Sequence, residues 1–135
     1  MKEELQEKLF SKYSKIFRQK DLPANETCMC WGICCGDGWY WLIDMLCGCI
    51  QDYIDNNKHL KIPQAEAAQV KEKFGGLRFY IDRGDETIRG FIWLAEYISY
   101  HICEKCGSTE NIQPQKTRGW INTLCDKCAK EKYKK

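Results

Sequence analysis

The sequence contains little histidine and proline and has no long hydrophobic run. Of its 135 residues, two are histidine and three are proline. No apolar run approaches the roughly 20 residues of a membrane-spanning helix, so we expect no membrane partner. Neither histidine lies in a recognised nucleophile motif, and the chain lacks the Gly-x-x-x-x-Gly-Lys loop that binds phosphates. These absences disfavour catalysis, and we expect a protein that is not an enzyme.

The first residues also lack the apolar run of a secretory signal. We therefore expect a cytoplasmic protein. The chain has ten cysteines, which is a large number for that compartment. Because disulfides persist mainly in oxidising compartments, we expect these thiols to be reduced.

Four of the cysteines form two Cys-x-x-Cys motifs. Cys103 and Cys106 make the first, Cys125 and Cys128 make the second, and 18 residues separate them. This spacing predicts one tetrahedral Zn²⁺ site. A pair of disulfides would need an oxidising compartment, and a redox-active dithiol would account for only one of the two motifs. With four protein ligands the zinc has no open position for substrate, so its predicted role is structural.

The residues around these motifs indicate a small zinc-binding module. Gly107 follows the first motif, where a tight turn often needs a positive φ. Good helix formers follow the second motif, which therefore lies at a predicted helix start. Residues 118–124 read as a short strand in which Trp120 is expected to cover the metal. The order of these elements predicts a zinc ribbon or treble-clef module over residues 101–135.

The charge of this module gives only modest support for nucleic-acid binding. Residues 101–135 contain eight lysine or arginine and four aspartate or glutamate residues, a net charge of +4. Four thiolates and one zinc ion contribute −2, which lowers the net charge of the metal-bound module to about +2.

The pattern of apolar residues and turn residues in residues 1–100 predicts an α+β core of about three helices packed with a β-hairpin. Apolar residues recur at helical spacing over residues 3–20, 39–55 and 84–102. Asp37 is expected to cap the second helix. Two alternating segments flank Gly75-Gly76, a dipeptide suited to a two-residue hairpin turn. The third helix leads directly into Cys103, so we expect the zinc module to pack on the core.

The hairpin and the second helix supply the candidate binding residues. Lys71, Lys73, Arg78 and Tyr80 alternate with apolar residues, so they would share one face of the hairpin. Such a face suits phosphates and bases, or an acidic protein patch, and it is equally typical of a solvated hairpin. Trp41 points away from the apolar stripe of its helix and is a candidate interface anchor.

The other cysteines leave a second metal site open. Cys28, Cys30, Cys34 and Cys35 are close enough in sequence to converge, although none of their spacings makes a Cys-x-x-Cys motif. Cys47 lies on an apolar helical stripe and is best explained as a small core residue.

Several motifs in order along nearly the whole chain resemble a family of small phage and prophage proteins. The segments that carry the resemblance are Cys35-Gly36-Asp37-Gly38-Trp39, residues 70–80 (VKEKFGGLRFY), Cys103-Glu104-x-Cys106-Gly107 and residues 119–129 with Cys125 and Cys128. The resemblance implies an accessory viral protein in the cytoplasm of a host cell. Inhibitors of host defence are common in this class.

The residues and the resemblance together give one leading hypothesis and two alternatives. The leading hypothesis is a non-enzymatic, zinc-stabilised binding protein that inhibits a host antiviral defence system by binding a host protein. The alternatives are a DNA- or RNA-binding regulator and a protein that sequesters a small nucleotide signal. The sequence does not predict the oligomeric state.

Overall fold

The structure, a computed structural model, describes residues 1–134 and has a mixed α+β architecture. Lys135, the last residue of the predicted module, lies outside the described part. Four α-helices and five strands follow one another along the chain: α1 Glu3–Lys12, β1 Ile33–Cys34, α2 Tyr40–Asn56, β2 Glu66–Lys73, β3 Gly76–Asp82, α3 Glu86–Ser99, β4 Ile112–Thr117, β5 Trp120–Cys125 and α4 Asp126–Tyr133. The α+β class is confirmed. The described residues contain four α-helices rather than three in total, of which three lie in residues 1–100 and the fourth lies in the C-terminal module. The fourth helix, α4, lies directly after Cys125, where the sequence indicated a helix start.

Helix α1 is shorter than its apolar pattern predicts. It ends at Lys12, and the predicted stripe continues through turns to the short 3₁₀ segment Arg18–Asp21. Ile16 and Phe17 are nevertheless fully buried. The Ile16 carbonyl accepts a hydrogen bond from the Ala67 N–H of β2 at 2.8 Å. This carbonyl therefore bonds to the sheet and not to an N–H group of a longer helix.

The first sheet has three strands in the order β1-β2-β3. Strand β1 pairs in parallel with β2, with Ile33 opposite Val70, and β2 pairs antiparallel with β3. Helices α2 and α3 contact each other, and α3 contacts β3. The core between these elements contains these fully buried side chains: Leu9, Ile16, Phe17, Met29, Ile33, Trp39, Ile43, Cys47, Ile50, Val70, Leu77 and Ile88.

The turn between β2 and β3 lies one residue earlier than predicted. Lys73 pairs with Gly76, so the two-residue turn is Phe74-Gly75 rather than Gly75-Gly76. Gly76 belongs to β3, where a Cβ would collide with the Tyr100 ring. Glycine is therefore required at position 76 because the Tyr100 ring packs there, and not because of the turn.

Helix α2 begins without the predicted Asp37 cap. Its N-cap position is Trp39, and no side chain caps it. Asp37 instead accepts a hydrogen bond from the Lys2 N–H at 2.8 Å, and Lys2 is the N-cap residue of α1. The carboxylate thus stabilises the start of a different helix.

The second sheet is the antiparallel pair β4-β5, and it packs with α4 around a small core of its own. That core contains Leu124 and the thiols of Cys103, Cys125 and Cys128. Within residues 1–134, no helix is both long and apolar enough to cross a lipid bilayer.

Candidate metal centre and exposed surfaces

The four cysteines of the two motifs form one compact cluster. The Sγ atoms of Cys103, Cys106, Cys125 and Cys128 all lie within 4.8 Å of one another. Those of Cys106 and Cys125 are 3.7 Å apart. A tetrahedron with Zn–S bonds of about 2.3 Å has S···S edges of about 3.8 Å, so this separation fits a tetrahedral thiolate site.

Local backbone geometry positions both pairs of thiols. After Cys103 the chain turns back so that the Gly107 N–H donates to the Cys103 carbonyl at 2.8 Å, and Gly107 has a φ of +80°. Cys125 is the N-cap residue of α4, and its Sγ accepts a hydrogen bond from the Cys128 N–H at 3.5 Å. The helix start therefore directs an N–H group toward sulfur, which favours the thiolate form.

The environment of Cys103 favours its thiolate. Burial alone would raise the pKa of the Cys103 thiol, but N–H donors of Cys125, Cys106 and Lys105 outweigh burial and lower this pKa to about 7. Burial raises the pKa of Cys128 above its ordinary value. Because a thiol must lose its proton to bind a metal, ligation at Cys128 requires the metal to displace that proton.

The cysteine cluster is attached to the core through the Gly36-Asp37-Gly38 motif. The Gly38 N–H donates to the Glu104 carbonyl at 2.7 Å. A Cβ on Gly38 would lie 2.6 Å from the Glu104 oxygen and the Gly107 nitrogen, and closer still to the Cys103 carbonyl oxygen. The glycine is therefore needed for the first cysteine motif to approach the core.

Two further contacts hold the same interface. The indole N–H of the fully buried Trp39 donates to the Ile102 carbonyl at 2.9 Å. On the other side, the Thr123 hydroxyl donates to the Gly75 carbonyl in the β2–β3 turn at 2.6 Å. The C-terminal module thus contacts both the start of α2 and the tip of the first hairpin.

The N-terminal cysteines do not form a second cluster of this kind. In the part of the chain that the structure describes, no other group of three or more cysteine, histidine, aspartate or glutamate side chains lies close enough to share an ion. The Cys30 thiol contacts the Thr27 carbonyl, and the Cys34 thiol contacts the Trp31 carbonyl. Cys47 is fully buried in the core, as its apolar stripe predicts.

The structure brings four of the five candidate binding residues together. Lys71 pairs with Arg78 across β2 and β3, and Tyr80 pairs with Gln69 on the same side of the sheet as Lys73. The Arg78 guanidinium donates to the Tyr100 hydroxyl at 3.3 Å, which adds a ring to this face. Trp41 is 61% exposed but lies on α2, apart from the hairpin.

Two exposed aromatic side chains at hairpin tips were not predicted as site residues. Phe74 occupies the β2–β3 turn and is 63% exposed, and Trp120 begins β5 and is 71% exposed. They line one hollow of about 350 Å³ together with Lys73 and Ile121. The predicted role of Trp120 as a cover over the metal is not supported by this exposure.

Helix α3 presents an apolar stripe to solvent that the sequence interpretation also missed. Trp93 is 77% exposed, Leu94 is 60% exposed and Tyr97 is 63% exposed. Together with Gly90 they line a hollow of about 350 Å³. Helix α3 is apolar both on the side that faces the core and on the side that faces solvent. The helical spacing of apolar residues predicts only the buried side.

Comparison with protein-family models, with curated proteins and with solved structures finds no match to this chain. The resemblance to phage and prophage proteins therefore rests on the sequence motifs alone.

Proposed function

We propose that this chain is a non-enzymatic, zinc-stabilised protein that acts by binding another protein through the outer side of α3. The observation that carries the proposal is the exposed stripe of Trp93, Leu94 and Tyr97. At these exposures the three side chains present on the order of 400 Å² of apolar surface. Apolar patches of this size on a soluble domain are often binding sites.

The composition of the stripe favours a protein partner with an apolar groove. Large aromatic side chains dominate the binding energy of protein interfaces, and charged residues are depleted from the centres of such interfaces. No charged residue lines the hollow formed by Gly90, Trp93, Leu94 and Tyr97, and the exposed Glu86 and Arg89 lie towards the N-terminal end of the helix. The stripe would form the centre of an interface with a polar rim.

The metal in this proposal is one zinc ion, and its role is to hold the C-terminal module. Four cysteine sulfurs within 4.8 Å of one another and the order of motif, hairpin and helix are typical of a treble-clef zinc module. We expect one equivalent of zinc by elemental analysis of the purified protein. Cys106→Ser and Cys125→Ser should lose the metal and the folded module, whereas two variants with full metal content and unchanged stability would contradict the assignment.

The resemblance to phage proteins suggests that the partner belongs to a host defence system. The experiment is affinity capture from infected cells, identification of the captured protein and measurement of its binding to the purified chain by calorimetry. Trp93→Ala should weaken binding at least about 10-fold, since a central tryptophan contributes more than about 1.4 kcal/mol to binding. The matched control is Trp31→Ala, because Trp31 is 70% exposed but lies outside the stripe.

Two results would contradict this proposal. One is a purified partner that binds wild type and Trp93→Ala equally. The other is the absence of any captured protein whose binding depends on the stripe.

A further inference from the structure

Both β-hairpins end in turns that place a large side chain in an unfavourable backbone conformation. In the first turn Phe74 and Gly75 have φ values of +54° and +84°, and in the second Arg118 and Gly119 have φ values of +47° and +84°. Two consecutive positive φ values in a two-residue hairpin are typical of a type I′ turn. Asparagine, aspartate and glycine are favoured at its first position, and a bulky residue there is strained.

The fold does not use either large side chain for its core. Phe74 is 63% exposed, and Arg118 is also exposed. The Lys73 ammonium lies 5.6 Å from the centre of the Phe74 ring, which leaves a cation and an aromatic ring side by side at the tip. Backbone strain that burial does not offset is typical of residues kept for function.

The two tips are far apart in sequence but adjacent in space. The Thr123 hydroxyl binds the Gly75 carbonyl, and a Cβ on Gly75 would lie 2.9 Å from Cγ2 of Ile121. This close contact brings Trp120 beside the first tip, where it lines the shared hollow with Phe74 and Lys73. The C-terminal module therefore builds half of this site.

Cationic and aromatic side chains extend from the tips in both directions. On one side of Trp120 a second hollow is lined by Arg118, Lys132 and Tyr133. In the other direction the outer face of β2 and β3 presents Lys71, Arg78 and Tyr80. From Gly76 to Tyr80 alone the strand covers about 13 Å, which exceeds the length of one nucleotide.

From this arrangement we propose that the two hairpin tips and the adjoining face of the first hairpin bind single-stranded nucleic acid. Bases stack on the rings of Phe74 and Trp120, while Lys73, Arg118 and Lys132 contact phosphates. A base inside a duplex has both of its faces covered by neighbouring bases, so an exposed ring at a hairpin tip favours the uncovered bases of a single strand. The site is separate from the α3 stripe, so it does not depend on the proposed protein partner.

One acidic side chain lies in the hollow between the tips. The Glu72 carboxylate lines it and accepts a hydrogen bond from the Gly75 N–H at 2.8 Å. This hydrogen bond stabilises the turn and restrains the carboxylate there. Phosphate contacts are therefore assigned to Lys73, Arg118 and Lys132 rather than to the centre of the hollow.

The test measures binding of the intact zinc-loaded chain to fluorescein-labelled 20-nucleotide oligo(dT) and oligo(U) by anisotropy. Wild type should bind both at 50 mM salt and lose affinity as salt rises to 200 mM, because phosphate contacts release counterions. Trp120→Ala and Lys73→Ala should each weaken binding, the former about 10-fold because it removes a stacked base. Trp31→Ala and Lys58→Ala are the matched controls, since both residues are exposed outside this surface.

Phe74→Asn separates the functional role of this residue from a structural one. Asparagine is favoured at the first position of a type I′ turn, so the melting temperature should rise by about 3 °C. The same substitution removes a stacking ring, so affinity for the oligonucleotides should fall about 10-fold. A residue with a purely structural role would not lower binding while raising stability.

Three results would overturn the inference. The first is that Trp120→Ala binds the oligonucleotides as tightly as wild type does. The second is that wild type binds a 20-base-pair duplex as tightly as it binds the oligonucleotides. The third is that wild type binds a mononucleotide as tightly as it binds the oligonucleotides. If Phe74→Asn lowers the melting temperature, the turn is not strained, and Trp120→Ala and Lys73→Ala then decide the outcome.

Discussion

At the scale of single residues, glycines control how closely the two parts of the chain approach each other. Gly36 and Gly38 lie against the carbonyl of Glu104, and Gly75 lies against Ile121. Each contact joins segments that are more than 40 residues apart in sequence. The sequence shows the glycines, but the residues that pack on them become apparent only in the folded chain.

Gly38→Ala tests the importance of this approach. The added methyl group would collide with the backbone at Cys103, Glu104 and Gly107, and backbone cannot move aside as a flexible side chain can. We expect a loss of about 3 kcal/mol in the free energy of unfolding, measured by urea denaturation. Gly90→Ala is the control, since its Cβ meets nothing within 4 Å and alanine favours a helix interior by about 1 kcal/mol. Equal effects of the two substitutions would contradict the steric explanation.

An ion pair near the end of the first sheet, between the exposed Arg18 and the buried Glu66, makes stability depend on pH. The Arg18 guanidinium donates two hydrogen bonds to Glu66 at 2.7 and 2.8 Å, and Gln19 donates a third at 3.2 Å. The hydrogen bond from Arg18, reinforced by that from Gln19, holds the pKa of Glu66 below its ordinary value. A carboxylate with a lowered folded-state pKa stabilises the fold above its unfolded pKa and loses this contribution as pH falls through the folded value.

Glu66→Gln should therefore destabilise the chain at pH 7 and have less effect at pH 3. The expected loss at pH 7 is about 1 kcal/mol, because Arg18 is more than half exposed and solvent weakens the pair. Urea denaturation at both pH values measures it. A loss that is the same at pH 3 and pH 7 would show that the carboxylate charge does not contribute.

At the scale of secondary structure, the sequence predicts elements whose signal is local and misses boundaries that depend on distant contacts. Helices α2 and α3, which the apolar spacing predicts, are both present in the structure. A helix also begins after Cys125, as predicted. The end of α1 is missed because the Ile16 carbonyl bonds to β2. The position of the hairpin turn is missed because Gly76 is required by Tyr100, a residue beyond α3.

The same limit explains what the sequence shows of the candidate site. The four cysteine ligands are predicted because their spacing alone defines a metal-binding pattern. Phe74 and Trp120 are not predicted, since their common surface exists only after the C-terminal hairpin packs against the first one. The α3 stripe is missed for another reason, because an aromatic residue on an apolar helix looks like part of the core.

The start of α3 is a local signal that can be tested by substitution. Asp85 is the N-cap residue, and its carboxylate accepts hydrogen bonds from the Ile88 N–H at 3.0 Å and from the Tyr53 hydroxyl at 2.7 Å. Asp85→Ala should lower the free energy of unfolding by about 1 to 2 kcal/mol, measured by urea denaturation. Glu86→Ala is the control because the Glu86 side chain is 93% exposed. Equal losses in both variants would show that capping contributes nothing at this position.

At the scale of the whole molecule, hydrogen bonds connect the cysteine cluster to the core. The first cysteine motif binds the Gly38 backbone, and β5 binds both Glu104 and Gly75 through Thr123. The small C-terminal core is formed largely by cysteines, so we expect it to need a bound metal ion to remain ordered. Loss of the metal should therefore be detected in residues that are far from the ligands in sequence.

Hydrogen exchange with and without a zinc chelator tests this link. Removing the metal should strongly increase exchange at the Gly38 amide, because its acceptor is the Glu104 carbonyl between two ligands, 2.7 Å away. The Ile50 amide, in the fully buried middle of α2, should stay protected and serves as the internal control. If the chelator removes the metal while Gly38 stays protected, the module remains docked without the ion. The metal would then not be what keeps Trp120 beside Phe74.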